Sequence, residues 1–500
     1  MPPGSRHAVG KQDGREVKRF GMEEKMIRFG TGGWRAVIGD GFTKENIQIL
    51  SRALCDKMRE EKVEEEGIVL GYDRRFLSKE AMRWAAQVFA REGIKAYLIN
   101  KSAPTPLVMF YVMKHGFHYG MMITASHNPA VYNGIKVFTH GGRDADEIQT
   151  AEIEKYIGGV TDIPVEEMDY QEGIERGLIE EIYPLNEYLD SIIDAVDMDR
   201  IKKRGLRVAL DPMYGVSETS LKTILMTARC EVETIHERHD TLFGGKLPAP
   251  TAETLRTLQN YVLDRHCDLG IATDGDADRI GVIDDQGNFL HPNDILVLLY
   301  YYLVKYKGWH GAAVRNICTT HLLDRVAESF GEKCYEVPVG FKHISAKMFA
   351  TDAIIGGESS GGMAVRGHIK GKDGIYASAL LVEMIAVTGM KLSAIMETIR
   401  REYGGMALEE RDYRFSLEKK EEIRNRILLD KELPRIPYEI EKISYLDGLK
   451  IYLKDGGWIS IRFSGTEPLL RIFCEMKEKK DAADFCRLFE RYLEIGADHS

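Results

Sequence analysis

The sequence predicts a multidomain α/β protein in which three similar α/β units precede a C-terminal α+β unit. Three observations support this prediction. The length of 500 residues suits three or four domains of about 150 residues each. In most of the chain, short apolar strands alternate with amphipathic helices, as they do in α/β folds. From about residue 410 onward, the pattern changes to a hairpin-rich sheet followed by one long helix.

The first unit contains three strands whose limits the sequence indicates. Gly67–Asp73, Lys95–Asn100 and Gly120–Ala125 are predicted strands because they are short, largely apolar runs bounded by polar or glycine residues. Between the first two, Ser78 is a suitable N-cap for a helix that reaches about Glu92. The third strand leads directly into a polar loop. Because open α/β sheets bind ligands at the carboxyl ends of their strands, that loop is a candidate ligand site.

Two further units repeat this alternation of strands and helices. They follow an acidic stretch near residues 160–180, which we predict to be a connector. Leu206–Asp211 and Cys267–Thr273 are the expected strands of the second unit, and both end at polar loops. In the third unit, a strand near Ala353–Ile355 ends at a loop of glycines and serines. A helix is predicted to follow over Gly374–Thr388.

The C-terminal unit is predicted to be a small sheet covered by a helix, joined through a linker near Tyr403–Asp412. Its strands are Leu449–Leu453, Trp458–Phe463 and Leu469–Met476, and an amphipathic helix runs from about Lys479 to Ile495. The complete predicted division is a disordered extension at 1–22, α/β domains at 23–165, 183–288 and 289–402, and an α+β domain at 410–497.

Composition argues against several classes of function. The net charge of −10 argues against nucleic acid as a partner, because no overall basic field attracts phosphate backbones. The longest apolar run, Ile295–Val304, is too short to span a membrane and is predicted to be a buried helix. Seven scattered cysteines without a CxxC pair suit a reduced, cytoplasmic protein. A small phosphorylated substrate stays compatible with the acidic charge, since it needs only a local basic pocket.

The polar loop after the third strand carries a candidate nucleophile. Ser126 stands where the strand ends, and an Asn-Pro pair two residues later forces a turn. His127 and the nearby Lys136 are suited to proton transfer, and Lys136 also to stabilising negative charge. Taken alone, the loop is also compatible with a polar turn whose side chains satisfy backbone groups.

Three aspartates follow a buried strand of the second unit. Asp274, Asp276 and Asp278 alternate along the loop, an arrangement that suits a hard divalent cation with oxygen ligands. An EF-hand has glycine where Arg279 stands, and a haloacid-type phosphatase has threonine where Ile280 stands, so neither pattern fits. Uncompensated carboxylates this close repel one another, so we favour a metal over a solvated acidic turn. Mg²⁺ is favoured because it readily shares its shell with phosphate oxygens.

The glycine- and serine-rich loop of the third unit is a candidate sugar site. Glu358 and Ser360 flank one residue, so in an extended segment they point the same way. A carboxylate and a hydroxyl suit neighbouring sugar hydroxyls, and the flanking glycines let the backbone approach a ligand. A flexible loop without a ligand is the alternative.

The fourth loop combines hydroxyls, a glycine N–H and two arginines, which together suit a phosphate dianion. Its members are Arg462, Ser464, Gly465, Thr466 and Arg471. An ordinary hairpin with surface arginines is the alternative. Arg35, which follows a glycine-rich turn, is a weaker candidate for a phosphate contact.

Together, these segments resemble the α-D-phosphohexomutase family. The strings FGTGGWR, TASHNP with NGIK, DGDADR, GGESSGG and RFSGTEP occur in the family's order between residues 29 and 471. The resemblance implies a heart-shaped enzyme of four domains, each of which contributes one loop to a central cleft. It further implies phosphoglucomutase activity, in which glucose 1-phosphate and glucose 6-phosphate interconvert through a phosphoserine enzyme and glucose 1,6-bisphosphate.

The resemblance also implies a role for each matching residue. Ser126 is the expected phosphoserine and a ligand, with Asp274, Asp276 and Asp278, of one Mg²⁺ per chain; glucose 1,6-bisphosphate is the expected activator. The expected catalytic residues are Ser126, His127, Lys136 and Arg279. The expected substrate-binding residues are Arg35, Lys342, Glu358, Ser360, Arg462, Ser464, Gly465, Thr466 and Arg471. A monomer or homodimer that binds a hexose phosphate is expected.

The sugar loop departs from the pattern of many family members. Those members have Glu-Glu-Ser, or a histidine after the glycine, whereas here Ser359 follows Glu358 and Gly362 follows Gly361. Mannose, or dual specificity, is therefore the alternative to glucose. Glucosamine is less favoured, because that branch usually has Gln and His around this loop. A metal-dependent sugar phosphatase that uses the same serine is a further alternative.

Overall fold

The computed structural model describes residues 27–30, 32–160, 164–463 and 469–496. Within these residues the strands form four sheets, which follow one another along the chain. Three are mixed sheets with helices, and the last is antiparallel. The predicted succession of three α/β units and one α+β unit is therefore confirmed. The predicted disordered extension at 1–22 lies outside the described residues.

The first sheet has the strand order β1-β5-β4-β2-β3-β7, with β6 paired to β5. Strands β4, β2, β3 and β7 are parallel. At one side of the sheet, β5 pairs antiparallel with β4, and β1 pairs antiparallel with β5. The strands are β1 (Trp34–Val37), β2 (Ile68–Tyr72), β3 (Ala96–Ile99), β4 (Tyr119–Ile123), β5 (Tyr132–Thr139), β6 (Arg143–Asp144) and β7 (Ile179–Ile182). The helices are α1 (Lys44–Glu61), α2 (Ser78–Arg91), α3 (Thr105–His115), α4 (Glu147–Val160) and α5 (Tyr170–Glu175).

The second sheet has the order β12-β11-β10-β8-β9, and the third has the order β14-β13-β15-β16. The second unit contains α6 (Leu185–Ala195), α7 (Met198–Arg204), β8 (Arg207–Asp211), α8 (Ser217–Thr227), β9 (Glu231–Thr234), α9 (Arg256–Asp264), β10 (Leu269–Thr273), β11 (Ile280–Ile283) and β12 (Phe289–Leu290). The third contains α10 (Pro292–Lys305), β13 (Ala313–Asn316), α11 (Leu322–Ser329), β14 (Cys334–Val337), α12 (Phe341–Thr351), β15 (Ile355–Gly357), β16 (Met363–Val365), α13 (Gly374–Thr388) and α14 (Leu392–Tyr403).

The three α/β units share one feature of topology. In each sheet, one parallel strand is followed along the chain by an antiparallel neighbour: β4 by β5, β10 by β11, and β15 by β16. The connection between these two strands holds the serine loop in the first unit, the aspartate loop in the second and the Glu358 loop in the third. The three candidate loops thus occupy equivalent positions in three related sheets.

The fourth unit is an antiparallel sheet in the order β17-β21-β20-β19-β18, with α16 against it. Its elements are β17 (Ala407–Arg414), α15 (Leu417–Arg424), β18 (Ile440–Ser444), β19 (Leu449–Leu453), β20 (Trp458–Phe463), β21 (Leu469–Met476) and α16 (Lys479–Leu493). The strands predicted at 449–453, 458–463 and 469–476 have the predicted limits. The apolar residues of β19, β20 and β21 pack with Phe485 and Phe489 of α16 in a core of their own.

Two predicted connecting segments belong to sheets. The predicted connector near 160–180 contains α5. Strand β7 begins at the end of this connector and pairs in parallel with β3 at the edge of the first sheet. Residues 407–412 of the predicted linker lie in β17, which pairs with β21. Both strands are charged and only partly buried, so they lack the apolar pattern by which strands are recognised in a sequence.

Two local predictions are wrong in detail. Ser78 is the first residue of α2 and not its cap; its hydroxyl donates to Asp73 Oδ1 at 2.8 Å. The strand predicted at 353–355 begins two residues later, as β15. It includes Gly356 and Gly357, which were predicted to belong to the loop. A Cβ on Gly356 would lie 2.4 Å from Ile344, so the helix packed on this strand requires glycine there.

Apolar packing unites the first three units and leaves out the fourth. One continuous core contains residues from α3, β8, α10 and α13, which belong to three different units. Contacts between the third and fourth units instead include charged and aromatic groups, such as His321 beside Trp458. Lys450 of β19 is buried, and its Nζ donates to Ile317 O at 2.6 Å and lies 2.7 Å from Glu336 Oε2. Burial beside Arg315 lowers the pKa of Lys450 to about 8.

Among the described residues, no single helix is long and apolar enough to cross a membrane. The pair α13 and α14 meets the length and composition criteria only when joined, and it bends by 83° at the break. Helix α10, which contains the predicted buried run at 295–304, is buried along that run.

Candidate active site

The candidate nucleophile lies against the aspartate loop. Ser126 follows β4, is fully buried, and has a φ of 52°, in the left-handed region that non-glycine residues rarely occupy. Its Oγ donates to Asp274 Oδ2 at 2.7 Å and lies 3.3 Å from His127 Nδ1. Two loops separated by about 150 residues of chain are therefore in direct contact, as the resemblance implied.

The three aspartates form a buried cluster. One carboxylate oxygen from each of Asp274, Asp276 and Asp278 lies within 4.8 Å of the other two. Oδ1 of Asp276 and Oδ1 of Asp278 are buried without a hydrogen-bond partner among the described residues. Burying a charged oxygen unpaired is unfavourable, and carboxylate oxygens are what a hard cation prefers as ligands. The donor set, with two carboxylate oxygens that accept no hydrogen bond from the described residues, therefore fits a divalent cation.

Two lysines and a threonine hydroxyl bind the other carboxylate oxygen of Asp276 and of Asp278. Lys136 Nζ donates to Asp276 Oδ2 at 2.7 Å and to Asp278 Oδ2 at 2.6 Å. Lys372 Nζ lies 2.7 Å from the same oxygen of Asp278. The hydroxyl of Thr105, at the start of α3, donates to Asp276 Oδ2 at 2.6 Å. No pattern in the sequence indicated Lys372 or Thr105, which come from two other units.

The pKa values of Asp274 and Asp278 shift in opposite directions. Burial, together with the neighbouring Asp276 and Asp278, raises the pKa of Asp274 well above its ordinary value. Burial also acts on Asp278, yet Lys136 and Lys372 hold the pKa of that carboxyl well below its ordinary value. The same two aspartates raise the pKa of Lys136 despite its burial, so this side chain is a fixed positive charge.

Two further predicted residues lie beside the serine and aspartate loops. The backbone N–H of Arg279 donates to Asp274 Oδ1 at 3.1 Å, and its Nε lies 3.8 Å from Asp278 Oδ1. Arg35 donates to Asn128 Oδ1 in the serine loop at 2.6 Å. Burial, followed by the charges of Arg279 and Arg35, lowers the pKa of His127 well below its ordinary value.

The Glu358 loop runs alongside the aspartate loop. The N–H of Ile280 donates to Gly361 O at 3.1 Å, and Arg279 forms a β-bridge with Gly362. Glu358 is buried, and its Oε1 accepts hydrogen bonds from Asn316 Nδ2 and Gly340 N, whereas Ser360 is exposed. The two predicted sugar ligands therefore differ in burial, and only Glu358 is fixed by neighbours that the structure describes.

Lys372 occupies the space beside the glycines of that loop. A Cβ on Gly362 would lie 2.3 Å from Lys372 Cδ. Any larger residue at position 362 would therefore require the side chain of Lys372 to move.

Lys342 lies at a contact between the first and third units. Its Nζ is 2.7 Å from Glu147 Oε1 at the start of α4, and His343 Nε2 is 3.8 Å from the same oxygen. Lys342 and Lys136 also line one small cavity together with the glycine turn before Arg35. The structure thus brings Lys342 to the edge of the site, where it is paired with a carboxylate.

The two predicted arginines of the fourth unit are neighbours. Arg462 of β20 lies directly opposite Arg471 of β21, so both side chains are on one face of the sheet. Arg462 Nε donates to Asp447 Oδ2 at 2.8 Å, and the same oxygen accepts from Val339 N of the third unit at 2.9 Å. Arg471 is half exposed, 3.6 Å from Asp412. Ser464, Gly465 and Thr466 lie outside the described residues.

Comparison with known proteins agrees with this arrangement. Four domain-family profiles match, and they cover most of the chain in the expected order. They are described as phosphoglucomutase/phosphomannomutase alpha/beta/alpha domains I, II and III, at residues 26–162, 186–287 and 291–403, and the C-terminal domain, at 420–491. Such enzymes are mutases, which transfer a phosphate within a sugar. The chain belongs to the α-D-phosphohexomutase family.

Relatives of this chain differ in the sugar that their names specify. A "Phosphoglucomutase/phosphomannomutase" of Thermococcus kodakarensis is 29% identical over 93% of this chain and 98% of its own length. A "Probable phosphoglucosamine mutase" of Methanothermobacter thermautotrophicus is 31% identical over 95% of this chain and 99% of its own. The crystal structure of a "putative phosphomannomutase" from Thermus thermophilus superposes with a TM-score of 0.81, at 29% identity over 94% and 99% of the two chains.

Proposed function

We propose that this mutase interconverts glucose 1-phosphate and glucose 6-phosphate, with Ser126 as the phosphate carrier and a hexose 1,6-bisphosphate as the intermediate. One observation carries the proposal: Ser126 Oγ lies 2.7 Å from a carboxylate of a buried three-aspartate cluster. A hydroxyl held against such a cluster is suited to phosphoryl transfer, in which positioning and charge neutralisation supply most of the rate. A cytoplasmic location and a monomeric or homodimeric state stay predictions.

Asp274, Asp276 and Asp278, with an oxygen of the group on Ser126, would hold one Mg²⁺. The two carboxylate oxygens described above, which accept no hydrogen bond from the described residues, support this assignment. When bound, the cation would neutralise charge on the phosphoryl group during transfer. Lys136 and Arg279, which already contact the cluster, supply fixed positive charge at the same place.

The reaction is two phosphoryl transfers in opposite directions. The P–O bond to Ser126 breaks as a P–O bond forms to the free hydroxyl of a hexose monophosphate, and the proton of that hydroxyl passes to Ser126 Oγ. After the bisphosphate turns over in the cleft, its other phosphate returns to Ser126, and the proton goes back to the oxygen left behind. His127 Nδ1, 3.3 Å from Ser126 Oγ, is placed to exchange this proton.

Glucose is proposed as the sugar on the basis of the Glu358 loop. The carboxylate of Glu358 and the exposed hydroxyl of Ser360 suit two adjacent equatorial hydroxyls, which glucose has at carbons 3 and 4 and which mannose and glucosamine share. The glucosamine branch usually has Gln and His around this loop, and neither residue occurs between Gly356 and Gly362. Phosphoglucosamine mutase is the second candidate, because that name is the more frequent one among relatives of similar identity.

A comparison of substrates tests the sugar. With Mg²⁺ and a trace of glucose 1,6-bisphosphate, kcat/KM is expected to be highest for glucose 1-phosphate, lower for mannose 1-phosphate and lowest for glucosamine 1-phosphate. Inverting or replacing one ring substituent changes only one or two polar contacts, so differences on the order of 10- to 100-fold are expected. A higher kcat/KM for glucosamine 1-phosphate would show that the second candidate is right. Release of inorganic phosphate without isomer would instead indicate a phosphatase.

Replacing the arginines of the fourth unit tests the proposed seat of the non-reacting phosphate. Arg462→Ala and Arg471→Ala are each expected to raise KM for the hexose phosphate by about 10- to 100-fold, since each charge-assisted contact contributes about 1.5–3 kcal/mol. Arg487→Ala is the matched control, because this arginine lies on α16, which covers the opposite face of the same sheet. An unchanged KM in both active-site variants would contradict the proposed phosphate seat.

A further inference from the structure

A single arginine binds the backbone of the loop that carries Ser126. Arg75 follows β2, the neighbour of β4 in the first sheet, and its side chain is fully buried. Its Nη2 donates to Ser126 O at 2.6 Å and to Asn128 O at 2.7 Å. Its Nη1 donates to Pro129 O at 2.9 Å and to Tyr132 O at 3.0 Å. The four terminal N–H groups of the guanidinium therefore meet four carbonyl oxygens of one loop.

A buried aspartate holds the other side of the same loop. Asp73 directly follows β2, and its Oδ2 accepts from Thr124 Oγ1 at 2.7 Å and lies 3.3 Å from Arg75 Nε. Oδ1 accepts from the N–H of Arg75 at 2.9 Å and from Ser78. Thr124 in turn accepts the backbone N–H of Ser126 at 2.8 Å. The N–H and the C=O of Ser126 are thus both bound by groups that depend on the Asp73–Arg75 pair.

This binding acts on a residue with an unfavourable backbone conformation. The left-handed φ of 52° at Ser126 costs a non-glycine residue on the order of 1–2 kcal/mol, so surrounding contacts must maintain it. On the far side, Gly275 of the aspartate loop packs against the Ser126 carbonyl so closely that a Cβ there would lie 2.8 Å from it. The direction of Ser126 Oγ toward Asp274 follows from this backbone conformation.

We propose that Arg75 is a positioning residue for phosphoryl transfer, which fixes the Ser126 backbone so that Oγ points into the three-aspartate cluster. The inference rests on the proposed function of Ser126 and adds a requirement to it. Arg75 acts on the rate through the serine loop, because all four of its terminal donors are bound to that loop. Its loss is expected to lower kcat while leaving KM nearly unchanged. A lysine has a single ammonium group and cannot span the four carbonyls.

The test measures kcat and KM separately for Arg75→Lys and Thr124→Val. Misplacing a reacting group by about 1 Å costs on the order of 10²-fold in rate, so a fall of this order in kcat is expected in both variants, with KM changed less than about threefold. Thr124→Val removes the hydroxyl that accepts the N–H of Ser126. It leaves Arg75 unchanged and preserves the size of the side chain. In Arg75→Ala, added guanidinium at a non-denaturing concentration is expected to restore part of kcat.

Arg74→Ala is the matched control, because Arg74 is adjacent but donates to Glu237 O in the second unit. It is expected to keep kcat within about threefold of wild type, since it touches no part of the serine loop. If folded Arg75→Lys and Thr124→Val both keep wild-type kcat, or raise KM instead, the inference is overturned. If Arg75→Lys does not fold, Arg75→Ala decides, and a folded Arg75→Ala enzyme that keeps wild-type kcat without added guanidinium overturns the inference. An inactive wild type, or an active Ser126→Ala, would contradict the proposed function and is distinguishable from these results.

Discussion

Ser126→Ala is expected to abolish mutase turnover, with kcat reduced on the order of 10⁴- to 10⁶-fold, as for removal of other enzymatic nucleophiles. The substitution removes only the Oγ that donates to Asp274, so the fold is expected to persist with a similar Tm. The measurement is conversion of glucose 1-phosphate to glucose 6-phosphate. In parallel, labelled glucose 1,6-bisphosphate is incubated with each protein, and covalent label is expected on wild type and not on the variant.

Ser191→Ala is the control for this experiment. Its hydroxyl, on α6, donates to the carbonyl of Tyr188 within the same helix, so its removal touches no part of the site. Wild-type kcat and normal labelling are expected. A Ser126→Ala enzyme that keeps turnover near the wild-type rate would show that another group carries the phosphate.

Asp276→Asn is expected to abolish most of the response to Mg²⁺. The change keeps the shape of the side chain and removes one negative charge from the buried cluster. Saturating Mg²⁺ at 100 times its Kd stabilises a folded protein by about 2.7 kcal/mol, so wild-type Tm is expected to rise by several degrees on addition of Mg²⁺. In the variant, this rise is expected to be largely lost. The rate kcat is expected to fall on the order of 10²- to 10³-fold.

Asp268→Asn provides the matched control for the metal prediction. Asp268 precedes β10, the strand that Asp274 follows, and its Oδ2 accepts the N–H of Arg207 at the opposite end of the sheet. The Mg²⁺-dependent rise in Tm is expected to be the same as in wild type. An equal rise in the Asp276→Asn protein would contradict the assignment of the cluster as the cation site.

Much of the site was predictable because its loops come directly after recognisable strands. Strands β4 and β10 are short apolar runs, and the residues that follow them, Ser126 and Asp274, are polar. Parallel sheets bring such residues to one edge, which is why the positions of these side chains follow from the sequence. Their direct contact additionally requires two units to be packed together, and only the resemblance implied that.

The residues that were missed act across boundaries between units or through backbone groups. Lys372 precedes the N-cap of α13, where a lysine is unremarkable, and its Nζ reaches Asp278 only because the second and third units pack together. Thr105 is likewise an ordinary residue at the start of a helix. Arg75 binds carbonyl oxygens, which every residue possesses, so no side-chain pattern in the sequence indicates its partners.

The charged contact between the third and fourth units determines which part of the molecule is able to move. The apolar core common to the first three units ties them into one body, since separating them would expose hydrocarbon to water. Lys450 and Glu336 form a contact of another kind, because breaking it exposes charged groups that water solvates and not hydrocarbon. We therefore expect that the fourth unit is able to move outward with its own core intact and to carry Arg462 and Arg471 with it. If the proposed function is right, such a movement would open this side of the cleft to a bisphosphate without unfolding.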